Sequence, residues 1–193
     1  MDSEVIFVMG PQGSGKGTQA KLLAEKLGFF HWEMGGILRG MKEYRFANGE
    51  TVGGIMDKGV YLSDPQILEI IPSRLAQIPP DQGIIFDAIP RRMGQAQFLI
   101  KWLNDRGKKN PVTIFINLSR EDSLKRLRLR AEIEKRADDT LEGIELRLKQ
   151  YEEATLPILD YMRAHTKFIE IDGSPSVGEV TREIFGVLGI ENT

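Results

Sequence analysis

The sequence predicts an α/β domain built on a mostly parallel sheet. Three observations carry this. Apolar, β-branched runs end in polar or glycine residues, helical patterns separate them, and a glycine-rich turn joins the first run to the first helix. Glu4 to Met9 (EVIFVM) stops at Gly10-Pro11 and reads as a strand buried on both faces. From Lys16 to Leu27, Ala20, Leu23, Ala24 and Leu27 recur at helical spacing, and Gly28 is a stop. Gly83 to Asp87 (GIIFD), Val112 to Leu118 (VTIFINL) and Phe168 to Ile171 are further strands. Helical patterns cover Gln95–Asn104, Glu121–Arg130, Leu141–Arg163 and Val177–Leu188. Asn48 to Lys58 reads as a mobile turn between two short helices, and Pro79 to Gly83 as a turn feeding the second strand. In such folds ligands bind at the carboxyl ends of the strands, so the residues just after each run matter most.

Composition narrows the class without naming a chemistry. The 193 residues predict one domain, long enough to bury a core without a disulfide or structural metal. Zero cysteines exclude thiol catalysis, Cys-ligated zinc and iron–sulfur clusters. With 26 Lys plus Arg against 28 Asp plus Glu, the net charge of −2 argues against a nucleic-acid binder. No basic leader and no apolar stretch of membrane-spanning length is visible, so the reading is a cytoplasmic protein off the membrane.

The sharpest motif is Gly10-Pro11-Gln12-Gly13-Ser14-Gly15-Lys16-Gly17-Thr18, between the first strand and the first helix. Glycines let successive N–H groups turn inward around a phosphate, and the helix adds its positive end. Lys16 adds a point charge for β- and γ-phosphates. Gly17 stands between Lys16 and Thr18, where the general P-loop pattern has Ser or Thr directly after lysine. His31 and His165 have no partner suggesting a relay or a metal pair, and both read as structural.

The Gly-Lys-Gly-Thr ending resembles that of the adenylate kinase and nucleoside monophosphate kinase family, and the likeness continues along the chain. Ile55-Met56-Asp57-Lys58-Gly59 with Leu62-Ser63-Asp64 is similar to the family's acceptor segment. Asp87-Ala88-Ile89-Pro90-Arg91 with Gln95 resembles its Asp-Gly-Phe-Pro-Arg…Gln motif. Arg126, Arg130, Arg136 and Arg147 match its arginine spacing, and Asp172-Gly173, with Pro175 and Val177 beyond, its adenine-packing segment.

The resemblance implies a P-loop nucleoside triphosphate hydrolase-like, three-layer fold with a mostly parallel five-stranded sheet. It also implies a helical acceptor-binding insertion at about 33–76 and a short lid at about 130–136. The implied activity is ATP-dependent phosphoryl transfer to a nucleoside monophosphate, AMP first, with a UMP/CMP or broad-specificity nucleoside monophosphate kinase as the alternative. A nucleotide sensor without turnover is the alternative from another class. The implied partners are the small molecules ATP and AMP, on a monomer, with Mg²⁺ and no zinc. Gly13, Ser14, Gly15, Lys16, Gly17 and Thr18 would hold the ATP phosphates, with Arg126, Arg130 and Pro175 completing that site. Met34, Gly35, Arg39, Val60, Tyr61, Leu62, Ala88, Ile89, Pro90 and Gln95 would form the acceptor site. Arg91 would clamp the acceptor phosphate, while Arg136 and Arg147 bridge both nucleotides. Lys16, Arg91, Arg130, Arg136 and Arg147 would be catalytic, and Asp87 would anchor the water shell of Mg²⁺.

Three departures stand out. Met34-Gly35-Gly36 replaces the family's Thr-Gly-Asp and so removes a carboxylate near the acceptor pocket. Ala88 and Ile89 replace Gly and Phe, and bear on the acceptor more than on the reaction. The lid is short and free of glycine; Ala131 to Lys135 favour helix and extend the one from Glu121.

Overall fold

The computed structural model describes residues 3–134 and 140–191. Five parallel strands form one sheet in the order β2-β3-β1-β4-β5. They are β1 (Val5–Met9), β2 (Phe30–Glu33), β3 (Ile84–Asp87), β4 (Val112–Asn117) and β5 (Lys167–Asp172). The four runs expected from the sequence are all strands. The edge strand β2 has no such run, because only Trp32 of its four residues is buried.

Side chains alternate across the central strands, as parallel strands covered on both faces require. Val5, Phe7 and Met9 join one core with Ile84 and Phe86, where Phe7 and Phe86 stack at 5.0 Å. Ile6 and Val8 join the other, with Ile85, Ile114 and Ile116. Helices α1 (Lys16–Leu27) and α9 (Val177–Leu188) close the second core through Ala20, Leu23, Val180 and Ile184. The first core is covered by α4 (Asp64–Leu75), α5 (Met93–Asp105) and α8 (Leu159–His165). This is the three-layer arrangement expected.

Helices α1 and α9 have the expected bounds because their ends are chemically marked. Gly28 and Gly189 take left-handed φ values of 67° as C-caps, and Ser176 with Glu179 forms a capping box on α9. The expected helix Leu141–Arg163 is interrupted. It consists of α7 (Leu141–Gln150), a π turn (Tyr151–Thr155), a 3-10 turn (Leu156–Ile158) and α8. Pro157 has no N–H to continue an α-helical ladder, and its ring crowds the preceding turn.

Helix α6 (Arg120–Glu134) runs through the expected lid start, as the helix-favouring residues after Arg130 predict. The rest of the lid lies outside the described residues. The segment expected as a mobile turn is built otherwise: Arg45 and Thr51 form an antiparallel bridge around Asn48-Gly49, and Thr51 caps α3 (Val52–Met56). Short helix α2 (Met34–Arg39) precedes it.

Candidate active site

The carboxyl ends of β1, β2 and β3 open into a cleft of about 980 Å³. One wall is the loop from Gly10 to Gly15. Gly13 and Gly15 have φ of 83° and 87°, and Gly15 caps α1 in this left-handed state. A Cβ on Gly13 would stand 3.1 Å from the Ser123 carbonyl, so helix α6 presses directly on the loop backbone. Ser14 lies beneath the surface, 2 % exposed. Gly17 lines the cleft, and a Cβ there would meet Asp87 Oδ2 at 3.3 Å. This close approach gives a physical reason for glycine after the lysine.

Lys16 Nζ donates to the Pro11 carbonyl at 3.0 Å. Burial among cations sets its charge. Desolvation pulls its ammonium down to about 8, Asp87 partly offsets this, and Arg91, Arg130 and Arg147 add to it. A phosphate dianion entering here would meet a site short of negative charge.

Arginines enter from several elements. Arg126 on α6 reaches the Ser174 carbonyl at 2.9 Å and the Gly13 carbonyl at 3.5 Å, while Arg128 is exposed. It thereby ties the glycine-rich loop to the turn after β5, where Pro175 sits. A Cβ on Gly173 in that turn would be 2.7 Å from the Asn117 carbonyl. Arg130 lines the same cleft. Arg147 on α7 is 8 % exposed and donates from Nε to the Gly143 carbonyl at 3.2 Å. Arg91 donates from Nε to the Ala88 carbonyl at 2.9 Å, and its guanidinium lies 4.6 Å from the Tyr61 ring centre. Arg136 lies outside the described residues.

The opposite wall comes from α2 and the stretch around residue 60. Met34, Gly35, Arg39, Val60, Tyr61 and Leu62 all line it, as do Ala88 and Gln95. Ile89 and Pro90 do not. They face a crevice beneath the cleft that they share with Tyr151 and Thr155. Ala88 takes φ 61°, a left-handed value that costs a side-chain-bearing residue about 1–2 kcal/mol.

Gln95 is 3 % exposed and committed within the protein at both ends of its amide. Its Oε1 accepts from the Arg91 N–H at 2.9 Å, and its Nε2 donates to Asp64 Oδ1 at 3.2 Å. Asp64 Oδ2 also accepts from the Gly94 N–H at 3.1 Å.

Four polar residues in the cleft were not anticipated as site residues. His31, read as structural, places Nε2 3.5 Å from Asp87 Oδ2, so it does have an ionisable neighbour in the site. Parallel pairing of β2 with β3, which sets Glu33 opposite Asp87, brings these distant residues together. Glu33 pairs with Arg39. Gln12 donates to the Tyr61 hydroxyl and, at 3.3 Å, to the Arg147 carbonyl, linking the glycine-rich loop to the opposite wall and to α7. Lys21 lines the cleft one helical turn beyond Gly17.

The residues present fit a hydrated divalent cation beside a phosphate chain. Asp87 is a buried carboxylate aimed at the loop, with the Thr18 side chain lining the same cleft. Among the described residues there is no group of three or more His, Asp and Glu arranged to hold a metal on its own. Among them too, no helix is long and apolar enough to cross a membrane.

Comparison with known proteins agrees with this geometry. The model of the family described as "Adenylate kinase" matches residues 8–167. An adenylate kinase of Thermus thermophilus is 36% identical over 187 residues, covering 97% of this chain and 98% of the relative. One from Parvibaculum lavamentivorans is 38% identical over 190 residues, covering 96% and 92%. One from Parabacteroides distasonis is 34% identical over 175 residues, covering 91% and 92%. The loop, the arginines around it and the full-length similarity agree, and the chain belongs to the adenylate kinase family.

Proposed function

We propose that the protein is an adenylate kinase that transfers the γ-phosphoryl group of ATP to AMP, giving two ADP. The observation that carries the reading is one cleft into which the donor loop, Lys16, Arg39, Arg91, Arg126, Arg130 and Arg147 all open. An oxygen of the AMP phosphate attacks the γ-phosphorus while the bond to the β-bridging oxygen breaks. Negative charge spreads over the equatorial oxygens, and the protein's task is positioning and charge neutralisation.

Gly13 to Thr18 hold the donor phosphates through backbone N–H groups and Lys16, and Arg126 and Pro175 flank the donor base. Arg39 and Arg91 hold the acceptor phosphate, and Arg130, Arg136 and Arg147 span the transferring group. Mg²⁺, brought with ATP, supplies neutralisation of β- and γ-phosphate charge, and Asp87 would hold its water shell. Met34, Val60, Tyr61, Leu62 and Ala88 shape the acceptor pocket. Gln95 orients Arg91 through its backbone N–H and offers its remaining amide hydrogen to the acceptor base. On this reading segment 33–76 is the acceptor-binding insertion of a single kinase domain. The enzyme works as a cytoplasmic monomer, and light scattering giving the mass of one chain checks that.

The test is a coupled ADP-production assay with Mg·ATP and AMP, CMP, UMP, GMP or dTMP. AMP is expected to be turned over fastest. Activity with CMP or UMP but none with AMP overturns the acceptor, and inactivity with all five overturns the kinase reading.

A further inference from the structure

The cleft contains a carboxylate for which phosphoryl transfer has no evident use. Glu33 ends β2 and lines the acceptor wall beside Met34, Gly35 and Arg39. Its Oε1 accepts from Arg39 Nη2 at 2.5 Å, and among the described residues no other carboxylate pairs with Arg39. The two side chains are 47% and 46% exposed, so the pair stands at the open surface of the cleft and is not a buried structural tie.

Gly36 makes room for it. A Cβ built there would stand 2.9 Å from Glu33 Oε2 and 3.1 Å from Cδ. The carboxylate whose loss the Met34-Gly35-Gly36 stretch implies is thus supplied three residues earlier, from the end of a strand. It fills the space that a side chain at position 36 would enter.

We infer that Glu33 is an internal counter-ion for Arg39, which the acceptor phosphate must displace, and that it sets the affinity for the monophosphate. The inference rests on the acceptor reading above. A guanidinium already bonded to a carboxylate gains less from a phosphate dianion, because one charge-assisted bond replaces another. The displaced carboxylate remains on the flank of the same subsite and repels the dianion. Both effects weaken acceptor binding and leave the donor loop on the far wall untouched. Glu33 is therefore a positioning and affinity-setting residue; it acts through Arg39.

The experiment measures AMP binding by titration calorimetry without ATP, and KM and kcat for both nucleotides, in the full-length protein. Glu33→Gln is expected to lower Kd and KM for AMP by about three- to tenfold, the scale of a half-exposed ion pair plus relief of like-charge repulsion. KM for ATP should not move, and kcat should change by less than about twofold. The gain should shrink as salt is raised from 0.05 to 0.5 M, which a purely structural effect does not do. Gly36→Ala reaches the same end independently, since its methyl pushes the flexible Glu33 carboxylate away from Arg39. AMP affinity that is unchanged or weaker in both variants overturns the inference, as does an equal change for ATP. Wild-type protein that does not phosphorylate AMP overturns the functional reading instead.

Discussion

On the donor side the cleft wall is backbone; on the acceptor side it is side chains. Gly13 and Gly15 sit in left-handed conformations, with α6 packed against the Gly13 backbone and Asp87 against Gly17. Across the cleft, the neighbours that a methyl on Gly35 or Gly36 would meet are the ends of Arg39 and Glu33, which can swing aside. A backbone cradle demands particular residues at particular positions. A side-chain wall can carry its charge at one position or at another, here at Glu33 with glycine at 36. Phosphate binding by the loop and the affinity for the acceptor therefore rest on different kinds of structure.

The largest effect should come from charges that belong to both walls. Lys16→Ala or Arg91→Ala is expected to lower turnover by about 10²-fold or more, the scale of losing one electrostatic stabiliser of developing charge. Steady-state kinetics with folded variants checks this, and near-wild-type rates for both would break the mechanism.

A sharper contrast comes from adding one methyl to each wall. Gly13→Ala forces a left-handed alanine against the Ser123 carbonyl, at an expected cost of about 1–3 kcal/mol and a higher KM for ATP. Gly35→Ala meets only the Arg39 guanidinium, with Nη1 nearest at 3.0 Å, and should leave the melting temperature nearly unchanged while altering KM for AMP alone. Equal thermal shifts for the two would erase the distinction between the walls.

The smallest effect is a pH dependence confined to the donor side. Desolvation lowers the Lys16 pKa from 10.5 to about 8 in the folded protein. Between those values the unfolded chain retains a proton that the folded chain has released. The unfolded state therefore binds more protons, and this group's contribution to stability rises with pH across that window. Below about 8 both states are protonated and the contribution is flat. Donor phosphates favour the charged form, so ATP binding near pH 8.5 should take up protons, visible as a binding heat that depends on the buffer. Lys16→Met should abolish that uptake, and AMP binding to the wild type should show far less of it.

The same division explains what could be read in advance. The donor loop was legible because its chemistry is local: glycines, lysine, strand and helix lie within a few residues of one another. Helices α1 and α9 were legible because their ends carry Gly28, Gly189 and the Ser176–Glu179 box. Helix α4 is harder to read although Ser63 and Gln66 mark its start in the same way, because Pro72 interrupts its helical pattern. Strand β2 was invisible because Phe30 and Glu33 face solvent and its four residues show neither a run nor a period. With β2 unread, the Glu33–Arg39 and His31–Asp87 contacts were out of reach. Both begin on that strand, and its register against β3 creates the second.

Helix α6 carries one further consequence. Its first residue, Arg120, is bonded to Glu145 on α7 and, at 2.7 Å, to Glu152 in the π turn. From that pinned end the helix runs unbroken for 15 residues, a rod about 21 Å long. A tilt of about 10° about Arg120 would carry Arg126 roughly 1.5 Å, Arg130 about 2.5 Å and the far end nearly 4 Å. The arginines are thus graded along a lever, and the same small rotation is geared up toward the tip. A flexible linker of equal length would pass on no such proportion. The ion pairs at Arg120 hold the end of the helix that such a tilt would move least.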